Sequence, residues 1–212
     1  MTMPNGTDTF LTIEAPAEGV FKDKGSRFLA FAFPVSSEED VRQTVISLRQ
    51  KYFDARHHCY AFRIGTSQEQ VRAFDDGEPA HSAGAPILGQ IRALNLTNVL
   101  VVVVRYFGGI LLGVGGLIRA YKSAAAQALS AARIVSRQIT RTFVLYSDYA
   151  TMDQLMKLAR DFGAGISGQK FEQTCEVQLH IRESLAESFL RQLQRIESVH
   201  IQPDPTNPHP TS

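Results

Sequence analysis

One short stretch concentrates groups able to bind an anion. Arg105 ends the uninterrupted apolar run Val99–Val104, and Tyr106 follows it. Gly108, Gly109, Gly113, Gly115 and Gly116 then place five glycines in nine residues, and Arg119 and Lys122 fall in the helix expected next. Glycine main chain and a helix N-terminus between cations can hold a phosphate with backbone N–H groups alone. The segment is not a Walker loop, since no G-K-[ST] closes it, and it lacks the G-x-G-x-x-G of dinucleotide folds. The alternative is a tight turn that packs a helix on a strand where side chains would clash. Five glycines exceed what one turn needs, so the anion cradle stays open beside it.

Two further constellations carry chemistry. Asp75-Asp76-Gly77-Glu78-Pro79 sets three carboxylates in four residues. Such a cluster could hold Mg²⁺ or Ca²⁺, orient Arg105 or His57, or form an acidic Asx-type turn around Gly77. It lacks EF-hand spacing. In His57-His58-Cys59 the adjacent histidines point to opposite faces of a strand, so they cannot chelate one metal together. Cys59 shares a face with His57, yet nothing marks the thiol as activated, and a buried small cysteine is the plainer expectation. Lys22, Lys24 and Arg27 either extend a basic surface toward the glycines or line a solvated hairpin edge.

These groups need elements to position them. Phe10–Ala15 and Arg27–Val35 read as strands, with a turn at Lys24-Gly25. Ser36 to Glu39 form a capping-box pattern ahead of Val41, Val45, Leu48 and Tyr52 at helical spacing. Residues 57–64 alternate as a strand, Ala73–Pro86 reads as a long loop, and Ile87–Leu94 as a short helix. Asn98–Tyr106 shows no polar alternation and is expected to be a central strand covered on both faces. Gly116–Arg133 is a helix whose alanines allow close approach to a sheet.

A second unit begins near Ser136. Its expected order is strand Ile139–Tyr146, a helix capped by Asp148 and closed at Gly163, strands Gly165–Phe171 and Cys175–Arg182, a helix with a Ser184/Glu187 capping box, and strand Ser198–Gln202. That β-α-β-β-α-β order is ferredoxin-like. The domains expected are 9–135 and 136–202, with a proline-rich, disordered tail at 203–212. The fold class is α+β.

Composition narrows the function classes. The 212 residues carry a net charge of +1, so no global field draws the chain to nucleic acid or membrane. The N-terminus has no secretory pattern, and the longest apolar run is too short to cross a bilayer. The two cysteines fit no C-x-x-C motif and are expected to be reduced, as in a cytoplasmic protein.

ARHHCYAF (Ala55–Phe62), DDGEP (Asp75–Pro79), SAGAP (Ser82–Pro86), KGSRF (Lys24–Phe28) and VVVRYFGGILLGVGGLIRAY (Val102–Tyr121) together closely resemble the YigZ/IMPACT family in its bacterial two-domain form. The resemblance implies an N-terminal domain similar to domain IV of elongation factor G and a C-terminal domain similar to its domain V. It also implies kinship with eukaryotic regulators of translational control, which compete for a partner of the general-control kinase. His57, Asp75, Asp76, Gly77, Glu78, Arg105, Tyr106, the five glycines and Arg119 match the family pattern. Two positions depart from it. His81-Ser82 stands where bacterial relatives have Gly-Thr, with Ser82 keeping the hydroxyl, and Ala85 replaces a basic residue.

The expected function is therefore translation-related regulation through binding of structured RNA, the ribosome or a translation-control protein. Neither a membrane partner nor DNA specificity is expected. The binding residues are Arg27, His57, Asp75, Asp76, Glu78, Ser82, Arg105, Tyr106, Gly108, Gly109, Gly113, Gly115, Gly116, Arg119 and Lys122. The alternative is an enzyme on a small phosphorylated or nucleotide ligand, with His57, Asp76 or Glu78 as acid–base groups. No cofactor or metal is expected.

Overall fold

The computed structural model describes residues 8–171 and 174–202. The tail at 203–212 lies outside them. The chain divides into two compact units, Phe10–Arg137 and a second that joins Asp8 and Thr9 to the described residues from Gln138 onward.

In the first, the elements are β1 (Thr9–Ile13), β2 (Ala17–Asp23), β3 (Ser26–Pro34), α1 (Glu38–Lys51), β4 (His57–Ile64), β5 (Gln70–Phe74), α2 (Gly84–Ala93), β6 (Val99–Tyr106), α3 (Gly113–Ala131) and β7 (Ile134–Gln138). Five strands form an antiparallel sheet in the order β2-β3-β6-β4-β5, and β1 pairs with β7. The apolar strand β6 is central, as its lack of alternation predicts: every residue from Val99 to Val104 is 0% exposed. Val99, Val101 and Val103 face a core with Ile87 and Ile91 of α2 and Leu117, Tyr121 and Ala124 of α3. Leu100, Val102 and Val104 face Val41, Val45 and Leu48 of α1. The alanines of α3 do bring it close to the sheet, since a Cβ on Gly19 of β2 would lie 2.4 Å from the Ala128 nitrogen.

The second unit comprises β8 (Thr140–Ser147), α4 (Tyr149–Asp161), β9 (Gly165–Phe171), β10 (Cys175–Arg182), α5 (Glu183–Leu193) and β11 (His200–Gln202). Its antiparallel sheet has the order β11-β8-β10-β9. Phe143, Leu145, Val177, Leu179 and Ile181 pack under Leu155, Phe189 and Leu193 of the two helices. This is the ferredoxin-like arrangement, and the fold is α+β.

Several local expectations shift. The cap of α1 is Ser37, which accepts from the Asp40 nitrogen, so the box is Ser37/Asp40 and not Ser36/Glu39. Glu39 instead pairs with Arg42. Asp148 does cap α4, accepting from the Thr151 nitrogen. The Ser184/Glu187 box does not form: α5 starts at Glu183, and both Glu183 and Glu187 are turned to Arg141. The loop expected at Ala73–Pro86 shrinks to 75–83, because β5 ends at Phe74 and α2 begins at Gly84.

Candidate functional site

The strand register fixes which residues meet at one end of the sheet. Arg105, next to last in β6, lies between Phe28 of β3 and His57 of β4, and Tyr106 lies opposite Arg27. The DDGEP turn closes over this end. Asp76 and Gly77 have φ of 45° and 84°, and the Glu78 nitrogen donates to the Asp75 carbonyl at 2.9 Å. Two successive positive-φ residues make a tight turn, and a glycine occupies one of them at no steric cost.

That turn sends its three carboxylates to three different tasks. Asp75 accepts from the nitrogens of Ala83 (2.9 Å), Gly84 (2.8 Å) and His81 (2.8 Å). It thereby caps α2, whose own N-cap residue Ala83 has no side-chain acceptor. Partial burial raises the pKa of Asp75, but the three backbone N–H groups outweigh it and hold the carboxyl below its ordinary value. Asp76 accepts from the His58 nitrogen at 2.7 Å and from Arg49 Nη2 at 2.6 Å. Glu78 points inward, with its side chain 4% exposed, and accepts from Arg105 Nη1 at 2.6 Å and Tyr121 Oη at 2.7 Å. Among the described residues no three His, Cys, Asp or Glu side chains gather as a metal-holding group.

The histidines and cysteine complete the buried layer. His57 Nδ1 lies 2.9 Å from the Asp76 carbonyl oxygen. Cys59 Sγ is 3.0 Å from the Asp75 carbonyl and 3.3 Å from the Tyr121 hydroxyl. Burial pushes the Cys59 thiol and the Tyr121 phenol up, so both stay protonated. Cys59 is thus a packed, inert thiol. His58 faces the α1 side, where burial and then Arg49 push its pKa down. Ser82 is fully buried and donates its hydroxyl to the Pro79 carbonyl at 2.6 Å.

Arg105, expected on a contact face, is 7% exposed and committed to Glu78. Its guanidinium also lies 5.5 Å from the Phe28 ring centre and 5.8 Å from that of Phe107. Arg27 remains exposed and stacks on Tyr106 at 5.1 Å, while the Tyr106 hydroxyl donates to Asp54.

The glycines separate by cause. A Cβ on Gly108 would fall 1.9 Å from the Gly25 carbonyl carbon, and the Gly108 nitrogen donates to Ser26 Oγ at 3.1 Å. Gly108 therefore seats the loop against the β2–β3 turn. Gly109 and Gly113 have φ of 87° and 68°. The helix α3 starts at Gly113 and not at Gly116, so Gly113, Gly115 and Gly116 belong to its first turn.

What the residue types did not announce is the exposure of the large apolar side chains among and beside the glycines. Phe107 is 54% exposed, Ile110 56%, Leu111 82%, Val114 53% and Ile118 38%. Arg119 and Lys122 are exposed beside them. The available sequence signal was that FGGILLGV has neither a strand nor a helix period to carry its apolar residues inward. A groove of about 400 Å³ lies elsewhere, between α1 and the β4–β5 pair, lined by Val41, Val45, Tyr60, Phe62, Arg72 and Phe74. It is lined by neither His57, Asp76, Glu78 nor Arg105.

Residues 24–129 match the family model described as the Impact N-terminal domain. A Haemophilus influenzae protein named IMPACT family member is 36% identical over 172 residues, spanning 80% of this chain and 84% of that one. Human protein IMPACT is 40% identical over 96 residues, which is 43% of this chain and 29% of the human protein. A crystal structure titled only as a hypothetical protein superposes with a TM-score of 0.70 at 28% identity, covering 94% of this chain and 98% of that one.

Proposed function

The chain belongs to the IMPACT family, and from that premise we propose that it is a translation-related regulator that acts by binding, in the cytoplasm, to structured RNA, the ribosome or a translation-control protein. One observation carries the reading. Of the three groups expected to do acid–base chemistry, Asp76 and Glu78 are spent on Arg49, the His58 nitrogen, Arg105 and Tyr121, and His57 is turned by Nδ1 to the Asp76 carbonyl, whereas the loop 107–112 and the start of α3 leave an unspent outward surface. Arg27, Arg119 and Lys122 are the exposed cations at this end of the unit that match the expected binding set.

The test is co-sedimentation with ribosomes and pull-down from lysate at low and high salt, using the wild type and Arg27→Ala/Arg119→Ala/Lys122→Ala. Weaker capture by the triple variant is expected. If phosphates are the contacts, the logarithmic salt slope falls by about one for each cation removed. Capture equal to the wild type in both assays overturns the reading.

A further inference from the structure

Gly115 is a glycine without a structural reason. Its φ lies outside the left-handed region, and a Cβ there would meet nothing within 4 Å. Glycine is a poorer helix former than alanine, and no contact at position 115 calls for one. Gly108 is forced by contact and Gly113 by its φ, but Gly115 is neither.

Its surroundings have a definite chemistry. Val114, Ile118 and Lys122 follow one another at i, i+4 spacing and are all exposed, as are Gly115 and Arg119. The stripe runs from apolar near the loop, where Leu111 stands out, to cationic further along. No carboxylate occurs anywhere in α3, and among the described residues neither Arg119 nor Lys122 has an ion pair.

We propose that this face receives an amphipathic helix of a partner protein, apolar against Leu111, Val114 and Ile118 and acidic against Arg119 and Lys122, crossing α3 at the bare Gly115. The inference rests on the binding function proposed above and names the partner class for the same face. A missing side chain lets two helices approach closely and gives a ridge of the partner somewhere to enter. Four of the five exposed apolar side chains are aliphatic, which reward burial against a protein but offer a nucleobase no stacking face. A two-fold pairing of this face with itself would give Arg119 and Lys122 no carboxylate to meet, since neither α3 nor the loop 107–112 carries one.

The experiment places a photo-crosslinking amino acid at position 111 of the full chain in cells and maps the attached species by mass spectrometry. The expected product is a peptide from another protein with helical apolar spacing and Asp or Glu on its flank. Gly115→Leu should lower the crosslink yield about tenfold, as a blocked central contact does. Gly89→Leu should leave it unchanged, because Gly89 is also an exposed helix glycine with nothing within 4 Å of an added Cβ. Melting curves confirm that both variants fold. Crosslinks to RNA, lipid or a second copy overturn the proposal, as does a peptide without the acidic amphipathic pattern or a yield indifferent to Gly115→Leu. Crosslinks to ribosomal RNA would leave the translation reading standing while this one falls. An acidic amphipathic helix from a protein foreign to translation would do the reverse.

Discussion

The acidic turn Asp75–Pro79 and the glycine-rich segment Phe107–Gly116 both border Arg105, yet they use their side chains in opposite ways. In the turn, each carboxylate is consumed by the fold: Asp75 by the start of α2, Asp76 by β4 and α1, Glu78 by Arg105 and Tyr121. In the glycine segment the main chain is fixed by Gly108 and by two positive-φ glycines and Leu112 packs against the core, while Phe107, Ile110, Leu111 and Val114 are exposed to solvent. Ionisable character and availability are therefore separate properties. The residues richest in chemistry hold the chain, and the chemically plain Leu111 and Val114 are what the molecule leaves over for another surface.

The contrast is broken most forcefully at Glu78. Glu78→Ala leaves the Arg105 guanidinium buried without its carboxylate and takes the acceptor from the Tyr121 hydroxyl. Removing one partner of a buried pair costs about 3–5 kcal/mol, most of it the burden of the uncompensated charge. Urea unfolding should show that loss as a lower midpoint with an unchanged slope. Should Glu78→Ala unfold like the wild type, the pair is dispensable and the turn is as free for function as the loop.

Asp75 offers a smaller and pH-dependent version of the same test. Asp75→Ala removes the acceptor for three backbone N–H groups and should cost about 2 kcal/mol near neutral pH. The carboxyl is held below its ordinary 3.8 in the folded state. Its stabilisation is therefore complete above that value and is lost as pH falls through the lower folded one. The wild type should lose stability on acidification through this range, and the variant should lose less. Parallel acid limbs for the two proteins in thermal melts would mean that the Asp75 carboxylate does not cap α2.

The legible parts of the fold are those in which local pattern and burial agree. An apolar run without alternation gave the central strand β6, and the exchange of period 3.6 for period 2 gave the whole order of the second unit. The missing parts are edges. Strands β2, β5 and β7 leave no legible pattern because β2 is only half-buried and contains Gly19, while β5 and β7 are mostly exposed. An edge strand is held by its ladder, which leaves little mark on residue type. Gly19 has a reason that only α3 supplies, at Ala128. The site shows the same limit. The turn at Asp75–Glu78 is legible at Gly77, and a turn carboxylate that orients Arg105 is among the sequence alternatives; that this carboxylate is Glu78 and that Tyr121 joins it is not legible, since those contacts join residues 27 and 43 positions apart.

Leu111 supplies the smallest effect and the other end of the comparison. A side chain 82% exposed has little apolar area left to lose, so Leu111→Ser should change unfolding free energy by no more than about 0.5 kcal/mol. Glu78 and Leu111 would then differ in stability cost by nearly an order of magnitude, with the sign of the difference opposite to what apolar character alone predicts. The measurement is a pair of urea curves on the full chain. A loss above about 1 kcal/mol for Leu111→Ser would place that side chain in a packed environment in solution, and the loop would then belong with the acidic turn as part of the scaffold. A silent substitution leaves Leu111 costing the folded chain nothing, which is the condition a contact residue must meet if its apolar surface is held for a partner.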